Sequence, residues 1–167
     1  FTLIRETVFP PYLKRMFWVF VVLYPFLFIF QGFDVTDNGY YLTGYQNIFT
    51  HPETIAYGMT LWLYNVLGGL WLKIFGGFGI IGFRIGTVIL HLICLFIAFQ
   101  ILLDHIPENY LYFGFFVAHI YILKNGASVI FNYNLFTALF LLLCIFFLLK
   151  GLRVINLFFI LFSAFLL

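Results

Sequence analysis

Apolar residues run almost unbroken along this chain, and short polar clusters divide them into segments. Residues 16–33 are apolar apart from Gln31 and contain one proline, and residues 34–53 form the longest polar interval. Residues 78–103 are a long apolar run carrying Arg84 and His91, and residues 104–109 make a short polar loop. Further apolar runs follow at 110–123, 129–149 and 154–167, separated by a turn at 124–126 and a loop holding Lys150 and Arg153. A helix needs about 20 apolar residues to cross a bilayer. The pattern predicts an all-α, polytopic helical membrane protein with about five spans, near 16–33, 78–103, 110–123, 129–149 and 154–167. The last run is shorter than a full span, so the chain is expected to continue past Leu167.

The polar interval has its own periodicity. Tyr41, Tyr45, Ile48 and Phe49 recur at helical spacing with Thr43, Gln46 and Asn47 between them, which predicts a surface-lying helix over 38–50. Residues 54–75 are long enough to span, yet Gly58, Asn65, Gly68, Gly69 and Lys73 interrupt them and Gly76-Gly77 closes them. This segment either crosses or lies on the membrane.

Composition strengthens the membrane reading. Hydrophobic residues are 65% of 167 and charged residues 8%, against about a quarter charged in soluble domains. So apolar a surface would aggregate in water. Net charge is +2 without a basic run, which gives no footprint for nucleic acid. Cys94 and Cys144 fall inside apolar runs and read as small buried hydrophobes. Lys14 and Arg15 precede the first span without a cleavage site after it, so the first helix is expected to be retained, with the N-terminus in the cytoplasm. If 54–75 stays on the outer surface, Lys150 and Arg153 join Lys14 and Arg15 inside. If it crosses, Lys73, Arg84 and Lys124 join them instead, and the simple charge count slightly favours this arrangement.

Candidate chemistry sits at a few polar positions. Asp34 and Asp37 stand just past the first span, and a cap at Thr36 or Asp37 would hold a carboxylate ionised at a helix start. Such a group can act as a general base or hold a cation, or can serve only as a cap. Arg84, Thr87 and His91 share one helical face, and intramembrane ionisable groups usually line a cavity or meet a partner. Arg84 and His91 are expected to border one polar cavity suited to a phosphate-bearing ligand, against snorkelling and simple packing as the alternatives. Gly82 and Gly86 read as a helix-packing pair, and Asn132, Asn134 and Thr137 as interhelical hydrogen-bonding groups. His51-Pro52-Glu53 reads as a helix start. No metal-ligand spacing, phosphate-cradling loop or nucleophile motif appears, so no metal or other cofactor is expected.

Three stretches together resemble a known family: DNGYYL at 37–42 after the first span, LWLYNVLGGLWLKIFG at 61–76, and GFRIG at 82–86. In this order they resemble the N-terminal part of GT-C-fold membrane glycosyltransferases, most of all the protein mannosyltransferase and aminoarabinose transferase branch, glycosyltransferase family 39. The resemblance covers roughly residues 14–103. Asn38 stands where that family usually carries Glu, Gly58-Met59-Thr60 replaces a proline-rich entry, and Gly86 replaces a Pro.

The resemblance implies an outer-surface helix within 54–75, a polyprenyl-phosphate-linked sugar donor and transfer outside the cytoplasm of a bacterial inner membrane. It implies Asp37 as catalytic base, with Asp34 second. Arg84, His91, Lys73, Tyr40 and Tyr41 are then the donor-phosphate and substrate-binding candidates. Two other classes fit the residues alone: a structural subunit packed against other membrane subunits, and a small transporter using Arg84, His91 and Asn132.

Overall fold

A computed structural model of the chain describes residues 9–30, 37–55, 58–124 and 133–166. No strand occurs among the described residues. The helices are α1 (Pro11–Leu23), α2 (Asp37–Asn47), α3 (Gly58–Phe75), α4 (Gly79–Leu103), α5 (Glu108–Lys124), α6 (Tyr133–Val154) and α7 (Leu157–Phe165). Short 3-10 stretches cover Tyr24–Phe28, Pro52–Thr54 and Gly76–Phe78. Asp34, Thr36, the turn at 125–126 and Asn132 lie outside the described residues.

Local chemistry sets several of these boundaries. Pro11 opens α1, where its missing N–H costs nothing, so the helix starts before the expected residue 16 and takes Lys14 and Arg15 into its first turns. Pro25 cannot donate to the ladder, and α1 tightens there into the 3-10 stretch. Pro52 opens only one 3-10 turn, so the helix expected at His51 is not continued and α3 begins later. Between α3 and α4, Gly79 adopts φ 58°, a left-handed conformation that glycine reaches freely.

The loop expected at Lys150 and Arg153 is instead the last turns of α6. Cations are favoured beside the carbonyls of a helix C-terminus. The chain turns at Ile155 (φ 52°), and Asn156 caps α7 by accepting from Phe158 N at 2.9 Å. α7 then folds back on α6, where Ile160 packs against Gly151.

The helices define two ends. α1 runs antiparallel to α4: the Phe17 ring lies near that of Phe99, and the Arg84 guanidinium donates to the Phe28 carbonyl at 3.0 Å. α5 returns beside α4 with Tyr112 and Phe115 against Phe99. Phe17, Val21, Leu95, Phe99, Leu111 and Tyr112 form the core of this trio. At one end Lys14 pairs with Glu108, Arg153 pairs with Asp104 at 2.7 Å, and Phe9 N donates to Asn109 at 3.1 Å. Lys14 and Arg153 therefore share an end, which charge counting alone left open.

α2 and α3 occupy the opposite end. Tyr45 and Tyr64 cluster there with Phe83, near the start of α4, and with Phe136, near the start of α6. Trp71 Nε1 donates to the Gly82 carbonyl at 2.9 Å, and Tyr64 meets Tyr133. α3 thus bridges the beginnings of α4 and α6 at the end away from the ion pairs.

Among the described residues, three stretches are long and apolar enough to cross a membrane: Pro11–Phe28, Trp62–Leu103, which joins α3 to α4, and Tyr133–Val154. No more than 33% of any of them is buried within the chain. The remaining faces present Leu27, Phe30, Phe96, Leu141 and Leu152 outward, surface that lipid accommodates and water does not. This is a helical membrane protein. The nine residues of α7 extend only about 14 Å, well short of a hydrocarbon core of about 30 Å.

Candidate functional site

The end formed by α2 and α3 carries a cavity lined mainly by polar side chains. α2 begins at Asp37, and helical register puts Tyr40, Gly44 and Asn47 on the side of the helix that follows from it. Glycines on both helices let the backbones close. A Cβ at Gly44 would lie 2.6 Å from Asn65 Oδ1, and one at Gly68 would lie 2.5 Å from the Tyr45 ring. A Cβ at Gly69 would meet Ile48 at 2.5 Å. Of the stripe read from sequence, Tyr41, Tyr45, Ile48 and Phe49, Tyr45 and Ile48 are buried against α3, Tyr41 is half-buried and Phe49 is exposed.

Beside this contact lies a cavity of about 140 Å³ lined by Tyr40, Thr43, Asn47, Thr54, Tyr64 and Asn65, with Gly44 and Ile55. Its walls bear hydroxyls, amides and phenol rings and no charged side chain. Thr43 donates to the Gly39 carbonyl at 2.8 Å and Thr54 to the His51 carbonyl at 2.7 Å, which orients both oxygens and leaves their lone pairs to accept. Tyr41 sits behind the cavity between the Tyr64 and Tyr133 rings, each at 6.0 Å. Tyr45 is deeper still, and burial, then the neighbouring Tyr64 and Tyr41, raises its hydroxyl above the ordinary tyrosine value.

The other sequence candidates scatter. Asp37 is the first residue of α2, its side chain lying outside the described set together with all of Asp34. Lys73 lies over the Phe49 ring at 3.9 Å. Arg84 is 3% exposed and ties α4 to the end of the first helix through Phe28, six residues before Asp34 in the chain. His91 faces His119 across the α4–α5 seam, with Nε2 and Nδ1 3.3 Å apart and the rings stacked at 5.3 Å.

The expectation that Arg84 and His91 border one polar cavity does not match this arrangement. His91 borders a cavity of about 440 Å³ between α4, α5 and α6, walled by residues such as Leu95, Ala98, Phe115, Ala138 and Leu142, and Arg84 does not line it. The two stand two turns apart on α4, and the helix delivers Arg84 to the 3-10 stretch after α1 and His91 to α5. Gly82 does pack tightly, a Cβ there falling 2.6 Å from the Phe75 carbonyl. Asn134 and Thr137 are exposed. Cys94 and Cys144 are buried and free.

Sequence reasoning missed Asn47, Thr54, Tyr64 and Asn65 as a group. The spacing of Tyr40, Thr43, Gly44 and Asn47 was a readable stripe, but only the fold brings α3 to it. Comparison with family models, with curated proteins and with solved structures finds no match to this chain.

Proposed function

We propose that this chain belongs to a membrane glycosyltransferase that moves a sugar from a polyprenyl-phosphate donor to an acceptor outside the cytoplasm. The observation that carries the reading is the end built by α2 and α3. A helix starting at the acidic residue Asp37 runs directly along a small cavity of neutral hydroxyls and amides, Tyr40, Thr43, Asn47, Thr54 and Asn65. A carboxylate at a helix N-terminus stays ionised and can accept a proton.

In the proposed reaction the acceptor oxygen attacks the anomeric carbon as its proton passes to Asp37. The bond from that carbon to the phosphate oxygen breaks, and the polyprenyl phosphate leaves with the electron pair. Arg84, at the same end of α4, is the cation the reading keeps for the leaving phosphate. Its role for His91 and Lys73 loses support, since His91 stacks on His119 and Lys73 covers Phe49.

The same reading gives the membrane topology. Lys14, Arg15, Lys150 and Arg153 gather at or beside the ion-paired end, which is then cytoplasmic by the positive-inside tendency, in a bacterial inner membrane. α3 lies along the outer surface, and four crossings connect Lys14 to Lys150, with α7 beginning a fifth.

The test is transfer from polyprenyl-phosphate sugars by the full-length protein and by Asp37→Asn. General-base loss lowers transfer by about 10²-fold or more while membrane insertion is unchanged. Transfer undiminished in Asp37→Asn rejects the base. An unmodified protein inactive with every such donor rejects the reading in favour of a non-catalytic subunit.

A further inference from the structure

We infer that the cavity between α4, α5 and α6 binds a lipid quinone, an uncharged ring bearing carbonyl oxygens on an apolar tail, and that His91 holds one of those oxygens. The cavity shares no residue with the one at the α2–α3 end, so the site stands or falls independently of the transferase reading.

α5 and α6 each pack on α4 and hardly on each other. The gap between them holds about 440 Å³, within the roughly 300–1,000 Å³ of small-molecule sites. Small residues on all three helices make the room: Ala98 on α4, Gly114 and Ala118 on α5, and Ala138 on α6. A Cβ at Gly114 would meet nothing within 4 Å, so this glycine does not serve a close helix contact as Gly68 and Gly69 do. Gly114 and Ala118 are exposed, and the cavity opens there between α5 and α6. It follows α4 from His91 to Leu102, 11 residues or about 16 Å, which suits a ring with the first part of a tail beyond it.

Depth and chemistry select the ligand. His91 is the midpoint of α4, 12 residues or about 18 Å from either end, and so near the middle of the hydrocarbon core when α4 crosses the bilayer. Phospholipid headgroups and lipid hydroxyls are held at the water interface, because burying them unpaired is costly. A quinone carries only carbonyl acceptors on an apolar frame and brings an oxygen to this depth. His91 Nε2 faces His119 Nδ1 at 3.3 Å, which leaves Nδ1 of His91 for a ligand. The proton between the two rings sets the role of that atom. When His119 Nδ1 donates, neutral His91 carries its own proton on Nδ1 and donates to a carbonyl; with the direction reversed, Nδ1 accepts from a hydroxyl. The pair therefore answers both a quinone and its quinol. Phe115 in the same wall offers an aromatic face to a flat ring.

The experiment is photolabelling of the full-length protein in lipid nanodiscs with an azidobenzoquinone carrying a decyl tail, the labelled peptides being mapped by mass spectrometry. Decylbenzoquinone, decanol and decylbenzene are the competitors. Gly114→Leu fills the cavity from a position with open space around it, and His91→Phe keeps a ring but removes the hydrogen bond; thermal midpoints check that each variant folds. Label falls on the cavity-lining turns of α4, α5 and α6, and decylbenzoquinone displaces it while decanol and decylbenzene do not. Gly114→Leu weakens the quinone by about 10-fold or more, and His91→Phe by about 5- to 10-fold, the loss of one hydrogen bond. Displacement by decylbenzene as effective as by the quinone makes the cavity an acyl-chain groove and overturns the site. Equal displacement by decanol makes it a lipid-alcohol site and overturns it too, as does quinone affinity that Gly114→Leu leaves unchanged. If His91→Phe does not fold, Gly114→Leu and the competitor series decide.

Discussion

Gly68→Ala is the substitution for which the α2–α3 contact makes the sharpest forecast, because two effects oppose each other and the structure decides the sign. Alanine in a helix interior is favoured over glycine by about 1 kcal/mol. At Gly68, however, the new methyl would lie 2.5 to 2.6 Å from three atoms of the Tyr45 ring. That ring is 1% exposed and wedged against Tyr64 and Phe83, so it cannot rotate away. Overpacking of this kind costs about 1–3 kcal/mol, and a clash with a rigid ring belongs at the upper part of that range. The net effect is a loss of about 1–2 kcal/mol, or about 2–8 °C in Tm for a chain of this size.

Gly114→Ala is the matched control. Gly114 lies within α5 and a Cβ there meets nothing within 4 Å, so only the propensity gain remains and Tm rises slightly. Both are measured by thermal unfolding of the purified protein in one detergent. The reasoning fails if Gly68→Ala raises Tm as Gly114→Ala does, for then α2 does not press on α3 at Tyr45.

Cysteines introduced at Gly76 and Lys150 should label from opposite faces of the membrane, Gly76 from outside and Lys150 from the cytoplasm; labelling of Gly76 from the cytoplasm rejects the surface position of α3. Replacing Arg84 with Met leaves the Phe28 carbonyl without this donor and should cost about 1–3 kcal/mol in unfolding experiments. Arg153→Ala breaks a largely exposed pair and should cost no more than about 1 kcal/mol. Tyr45 has a hydroxyl raised by burial, so its neutral form is favoured in the folded state. Stability from this group is intact below about pH 10, the unfolded value, and is lost as pH rises beyond it. Tyr45→Phe should therefore flatten the alkaline limb of a Tm-against-pH profile, and an unchanged limb would show that Tyr45 does not titrate there.

What this sequence determined by itself is its solvent and its element type. Long runs of Leu, Ile and Phe admit only lipid on their outer faces, and in lipid a backbone must satisfy its own polar groups, which helices do. Pro25, Gly76 to Gly79 and Asn156 carry local signals for the 3-10 tightening, the α3–α4 turn and the α7 cap, because each acts through its own backbone. The end of α6 was less legible, since Lys150 and Arg153 read as a loop by polarity although a helix C-terminus welcomes cations.

Which residues meet was decided only by tertiary structure. One helical face carries Arg84 and His91, yet two different neighbours claim them, so shared register did not make a shared site. The charge count could not place Lys150 and Arg153, because it sums charges without knowing which ends coincide; the Arg153–Asp104 and Lys14–Glu108 pairs supply that. The cavity joins Tyr40 and Asn47 of α2 to Tyr64 and Asn65 of α3. Periodicity reports the face of one helix, whereas contact between helices depends on packing that no local window contains, here the glycines at 44, 68 and 69 that let two backbones approach.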